Sequence, residues 1–249
     1  TDTATVSVDV TGVNDAPDPL SLNINVDEDN PLFVPFSLVQ AMASDPDDPS
    51  SSLTVAVSYT GPAVFTITPA GFTIDPSSRF DYLGQGDTAY GGELTYEVID
   101  PHGARTVSTQ TISITGVNDA PTANDDSGFS TDEDTALTIA GADLLVNDTD
   151  PEGDALSIVP GFVTSAGGAL VTFNADGSVV YDPNGQFEHL ALGATTTDTF
   201  QYTVSDGNGG TDTATVNVTI TGENDAPSVF TVLTSVDEDR GTYHFNVSM

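Results

Sequence analysis

The sequence predicts an all-β chain built from tandem β-sandwich repeats of about 105 residues, joined by short acidic linkers. Three observations predict it. First, motifs return in a fixed order at that spacing. Gly-x-Asn-Asp-Ala-Pro begins at Gly12, Gly116 and Gly222; Asp-Glu-Asp begins at Asp27, Asp132 and Asp237. Thr1–Val6 reappears letter for letter as Thr211–Val216. Second, apolar and polar residues alternate between these motifs, which is the period of a strand buried on one face. Third, clusters of Gly, Asn, Asp and Pro break the alternation about every 8–12 residues, the punctuation of a sandwich of short strands.

Taken in chain order, Ala4, Val6, Val8 and Val10 form one apolar face, so residues 1–13 are expected to be the last strand of a truncated repeat. Residues 14–117 and 118–223 are expected to be two complete repeats, and 224–249 the start of another. Leu94, Tyr96 and Val98 alternate in the first repeat, and Phe200, Tyr202 and Val204 in the second. Ala214, Val216, Val218 and Ile220 do so in the final strand. Asn174–Gly177 and Asp206–Gly209 read as turns. The one helical candidate, Ser37–Ala43, is expected to form a single turn. Gln110 falls where Val216 stands one repeat later, which predicts a bulge or a shifted register. About seven strands per unit point to an Ig-like sandwich. The Asn-Asp-Ala-Pro joints are short, and their proline fixes φ, so they are expected to limit motion between repeats.

Charge narrows the function classes. The chain carries 38 acidic residues against three arginines, Arg79, Arg105 and Arg240, for a net charge of −35. Nucleic acid and anionic membrane surfaces both demand the opposite sign. No apolar run reaches membrane-spanning length. Cysteine is absent, which removes thiol catalysis, thiolate metal sites and disulfide staples. So many carboxylates serve either as a solubilising surface or as metal ligands, and composition leaves both open.

Position favours the second. Calcium takes six to eight oxygen ligands, and short Asp/Asn clusters at turns supply them. The clusters recur at fixed places, Asp-x-Asp at Asp45/Asp47 and at Asp148/Asp150, with too few basic residues to neutralise them. The mode is not an EF-hand. Asp148-x-Asp150-x-Glu152-Gly153 imitates that loop's start, but its twelfth position is Val159 rather than glutamate. Gly207–Asp212 imitates one calcium turn of a parallel β-roll, which needs several in succession.

The stretch from Phe200-Gln201-Tyr202-Thr203-Val204-Ser205-Asp206-Gly207 through Thr213–Val216 to Gly222-Glu223-Asn224-Asp225-Ala226-Pro227 resembles the end of a bacterial cadherin-like or VCBS-type repeat. Such repeats form the long central regions of large secreted RTX-type adhesins. The resemblance implies tandem Ig-like, cadherin-like sandwiches with calcium held at the joints between them. It implies a secreted protein at a bacterial cell surface, acting in adhesion or biofilm formation, in which these repeats are extenders.

The resemblance also implies a ligand plan. At the middle joint Glu28 and Asp75 come from the preceding repeat, Asn118 and Asp119 from the linker, and Asp148, Asp150 and Asp206 from the following repeat. At the first joint the matching residues are Asn14, Asp15, Asp45, Asp47 and Asp100; at the third, Glu133, Asp182, Asn224 and Asp225. The sequence departs from cadherins in two places. The fuller Asp-Arg-Glu motif is missing around Asp75 and Asp182, and Ala16, Ala120 and Ala226 stand where the cadherin linker has a second asparagine.

Catalysis finds no support in the pattern. His102, His189 and His244 lie in no zinc-binding spacing, and paired carboxylates mean little where acids are this abundant. No nucleophile elbow or phosphate loop occurs. Asn147-Asp148-Thr149 and Asn217-Val218-Thr219 fit a glycosylation sequon but read as incidental. The expected partners are calcium ions and neighbouring repeats. The alternative reading is a calcium-dependent module that itself binds carbohydrate or identical chains, with Tyr82, Tyr90 and Tyr243 as the few aromatic candidates.

Overall fold

Alternating strands cannot bury their apolar faces alone, so they close in pairs of sheets. The computed structural model describes residues 2–18 and 22–226, and within them two sandwiches form around separate cores. The first contains β1 (Ile24–Asp27), β2 (Leu32–Pro35), α1 (Phe36–Met42), β3 (Thr54–Thr60), β4 (Val64–Thr68), β5 (Gly71–Asp75), β6 (Thr88–Ile99) and β7 (Arg105–Thr115). Its sheets run β1-β7-β6-β3 and β2-β5-β4. β1 lies parallel to β7, with Ile24 opposite Ile112 and Val26 opposite Ile114; the other pairs are antiparallel. Leu94, Tyr96, Val98, Ile112 and Ile114 from one sheet meet Val34, Phe72 and Ile74 from the other. The helix expected near Ser37–Ala43 is α1. It starts behind Pro35, buries Val39 and stops at Ala43, whose N–H still reaches the Val39 carbonyl at 3.2 Å.

The second sandwich contains β8 (Asp126–Asp132), β9 (Leu137–Ile139), α2 (Gly141–Leu144), β10 (Ser157–Ile158), β11 (Gly161–Thr164), β12 (Leu170–Phe173), β13 (Val179–Asp182), β14 (Thr195–Ser205) and β15 (Thr211–Thr221). Its sheets run β10-β14-β15-β8 and β11-β12-β13-β9. It has eight strands where about seven were expected. The segment equivalent to β3 breaks at Pro160, which has no N–H to give to a ladder. Its first half stays on β14, with Ser157 opposite Ser205, and its second half crosses to β12, with Gly161 opposite Phe173. The predicted turns are present: Gly177 has φ +86°, and Gly207 and Gly209 have φ +84° and +120°.

Two expectations require correction or qualification. No bulge occurs at Gln110. It pairs in register with Leu94, and its amide reaches Ser108 Oγ at 3.1 Å at the rim of the sandwich. The irregularity lies in β6 instead, between Tyr90 and Gly92, where Gly92 has φ +124°. The alternating residues Ala4–Val10 pair with no described strand, and Val6, Val8 and Val10 are exposed. A ladder needs a neighbour to accept its hydrogen bonds, and no described segment lies beside this one. Of the segment 224–249, residues 227–249 lie outside the described residues, as do Asp237, Arg240, Tyr243 and His244.

Candidate metal centre

The joint between the two sandwiches is built from three loops. Past the end of β1, Asp27 caps a turn by accepting the Asp29 N–H on Oδ1 at 2.9 Å. That turn drives Glu28 inward to 3% exposure. Glu28 Oε1 accepts the N–H of Val117, the residue before the linker pair, at 2.7 Å. The linker then crosses. Asn118 Nδ2 donates to Asp206 Oδ2 at 2.8 Å and to the Asp119 carbonyl at 2.9 Å, while the Asp119 N–H donates to Glu152 Oε1 at 2.7 Å. The third loop follows α2. Asp150 Oδ1 accepts the N–H groups of Glu152 and Asp154 at 3.1 and 3.0 Å, a tight turn completed by Gly153 at φ +80°.

These hydrogen bonds use one carboxylate oxygen each of Glu28, Asp150 and Glu152, and only the main chain of Asp119. Glu28 Oε2, Asp119 Oδ2, Asp150 Oδ2 and Glu152 Oε2 are buried and have no partner. Buried polar atoms are nearly always satisfied, and an unpaired one costs about 1–3 kcal/mol. Among the described residues Arg105 pairs with Glu97 and His102 Nδ1 lies 3.1 Å from Asp48 Oδ2, neither of them at this joint. Burial, followed by the charges of Asp119, Asp29 and Asp81, raises the Glu28 pKa against the bond from Val117. Burial and the charges of Asp29, Asp81 and Asp150 raise that of Asp119. Burial, with Asp150 and Asp119 adding to it, raises that of Glu152. Acids from two sandwiches therefore press on one another across the linker. Four buried oxygens in search of positive charge form a donor set that suits a hard cation.

The same frame recurs around Asn14 and Asn224, where the first and third joints are expected. At the first, Asn14 Nδ2 donates to Asp100 Oδ2 at 2.7 Å and the Asp15 N–H to Asp47 Oδ2 at 2.8 Å. Asp45 Oδ1 accepts the Asp47 and Asp48 N–H groups at 2.8 and 2.9 Å, and its Oδ2 is buried without a partner. At the third, Glu133 is 1% exposed, accepts the Glu223 N–H on Oε1 at 2.8 Å, and buries an unpartnered Oε2. Asn224 Nδ2 donates to the Asp225 carbonyl at 3.3 Å. Ligand atoms of Asp134, Glu188 and Asp225 lie within 4.8 Å of one another, as do those of Asp48, Asp100 and His102. The middle-joint acids do not close into such a threesome.

Placement of the expected ligands is uneven. Glu28, Asn118, Asp119, Asp150 and Asp206 meet at the middle joint. Asp206 works there as a clamp. Its bond from Asn118, together with N–H bonds from Asn208, Gly209 and Gly210, holds its carboxyl below the usual range against the effect of desolvation. Asp148 faces elsewhere: Oδ1 accepts the Asn124 N–H at 2.7 Å, and Oδ2 stands 3.1 Å from the Tyr202 hydroxyl. Asp75 and Asp182 cap their own turns, accepting the Ser77 and Asn184 N–H groups at 2.9 Å.

The structure also resets the alignment of the two Asp-x-Asp motifs. Asp18 bridges Ser44, and Thr122 bridges Thr149, so Asp45 corresponds to Asp150 and Asp47 to Glu152. Asp29, Asp81, Glu152, Asp134 and Glu188 were missed in the sequence. One signal could have found two of them: Asp-Pro-x-x-x-Phe-acid-x-Leu occurs at Asp75–Leu83 and again at Asp182–Leu190. Phe80 and Phe187 are buried and anchor that loop, leaving the following acid, Asp81 or Glu188, at the joint.

Residues 118–222 match the family model described as bacterial cadherin-like domain, which spans the second sandwich. The chain is also similar to solved structures of human mucin-like protocadherin EC1-2, at 18% identity over 83% of this chain and 98% of that one, TM-score 0.41. Mouse protocadherin-24 EC1-3 gives 18% over 83% and 70%, TM-score 0.41. The human desmocollin-1 ectodomain gives 18% over 82% and 42%, TM-score 0.34. No curated protein sequence matches the chain.

Proposed function

We propose that this chain is an extender segment of a secreted bacterial adhesin, stiffened by calcium at the joints between cadherin-like repeats. The repeats in this reading are residues 14–117 and 118–223, flanked by parts of two others at 1–13 and 224–249. The observation that carries it is the set of four buried carboxylate oxygens without partners at the middle joint. The residues that would hold the ion there are Glu28, Asp119, Asp150 and Glu152, with Asp29 and Asp81 close enough to add charge.

A bound calcium ion supplies the positive charge that these acids lack. The chain's own residues do the positioning. Val117 and Asp119 donate main-chain N–H groups to acids on opposite sides of the linker, and Asn118 ties it to Asp206. Holding acids of both sandwiches to one centre turns their repulsion into a bridge and fixes the joint. Extracellular calcium modules bind at about 10⁻⁴–10⁻³ M, and calcium at a hundredfold of that constant adds about 2.7 kcal/mol per site.

Small-angle scattering of the chain with calcium and then with chelator tests the reading. A longer, stiffer particle and a higher melting temperature with calcium are expected. Unchanged dimensions and stability would return the acids to a solubilising role. Calcium-dependent capture on a glycan array would favour a binding module over an extender.

A further inference from the structure

We propose that the open side of the first sandwich, the free edge of β4, pairs antiparallel with β4 of a second copy of this chain. The proposal stands apart from the calcium reading. β3 and β4 are edge strands of the two opposed sheets and follow one another in the chain, so the same side of the sandwich ends in two free edges. In the second sandwich the counterpart of β4, β12, is covered: β11 pairs antiparallel with it and takes the edge position itself. The first sandwich has no such crossing strand, and β4 pairs with β5 alone among the described residues.

The edge carries none of the usual protection. β4 reads Val-Phe-Thr-Ile-Thr, with no lysine, no charge and no internal proline, and Val64 and Ile67 are 45% and 54% exposed. Alternate residues of an edge strand point unpaired N–H and C=O groups outward, ready for another strand.

The distribution of charge favours a second copy as the occupant. Residues 49–74 contain no charged side chain, the longest such run in a chain of net charge −35. Two equally acidic molecules can meet here without setting carboxylate against carboxylate, and salt screens the rest beyond about 8 Å at physiological strength. Pairing of β4 with β4 is isologous and closes as a twofold dimer with Thr66 at its centre.

Sedimentation of the whole chain across concentration and salt is the first test. A monomer–dimer equilibrium that strengthens as salt rises is expected. Val64→Lys with Ile67→Lys should weaken it by at least about tenfold with an unchanged melting temperature, whereas Phe162→Lys, on the exposed edge strand β11, should leave it intact. In this cysteine-free chain, Thr66→Cys should cross-link to itself under mild oxidation while the exposed Thr138→Cys does not, because directly opposed strand residues lie within disulfide reach. A parent monomeric under all conditions, association retained by the double-lysine variant, or association lost with Phe162→Lys would each overturn the proposal.

Discussion

The main-chain N–H of Asp119 meets Glu152 Oε1 at 2.7 Å, and 104 residues earlier the N–H of Asp15 meets Asp47 Oδ2 at 2.8 Å. One contact, made by different acids, sets the linker against the acidic loop in both repeats. It leaves Glu152 Oε2 buried and unpartnered beside Asp119 Oδ2.

Glu152→Gln removes one charge from this set while keeping an oxygen for the Asp119 N–H. The calcium constant read from the rise in melting temperature should weaken by about tenfold. An unchanged constant would place the ion away from Glu152.

Glu28→Gln should act with opposite signs in the two states. In chelator, loss of a buried charge should raise stability by about 1 kcal/mol. With calcium, the stabilisation by the ion should shrink. Thermal melts with and without chelator measure both, and a variant destabilised in chelator would contradict the cost assigned to the unpaired oxygen.

Asp148→Asn and Asp150→Asn separate two neighbouring acids. Asp148 is engaged with Asn124 and Tyr202, so its variant should retain the calcium response; Asp150 carries an orphaned oxygen, so its variant should lose most of it. Equal losses would put both at the ion.

Acidification gives a sign change. Glu28, Asp119 and Glu152 have folded-state pKa values raised by burial first. Their contribution in chelator is fully present below the ordinary carboxylate pKa of about 4 and is lost as pH rises through the raised values. The chelated protein should therefore gain stability as pH falls from neutrality through the raised values. Asp100, Asp206 and Asp212 are held low, so the stability that they contribute is lost only in stronger acid. With calcium present, protons compete with the ion, and stability should fall over the same range. Calorimetry at several pH values, with calcium and with chelator, checks the crossing.

Gly210→Ala tests the packing of linker on loop. A Cβ there would collide with the Asp206 carboxylate and lie 2.8 Å from Ala120 Cα. A loss of about 1–3 kcal/mol is expected in the second sandwich.

The repeats, their all-β class, the alternating core residues and the turns at Asn174–Gly177 and Asp206–Gly209 were legible in the sequence, because side-chain period and turn chemistry are local properties. So was the Asn-Asp linker. The matching of acids between repeats was not. Letter identity aligned Asp45/Asp47 with Asp148/Asp150, while main-chain pairing matches them to Asp150/Glu152. A loop can shift its letters by two residues as long as a carboxylate of either length meets the same N–H. Asp148 is then held by Asn124 and Tyr202, while Asp81 enters the middle joint and Glu188 joins Asp134 and Asp225, because the burial of Phe80 and Phe187 decides which side of their loops faces the linker. The crossing of β11 was equally hidden, since Pro160 says only that a ladder must stop. The sequence by itself determined which residues alternate, which turn and which are acidic. Only the tertiary structure decided which acids converge and which sandwich edge stays open, because both depend on segments far apart in the chain competing for the same main-chain partners.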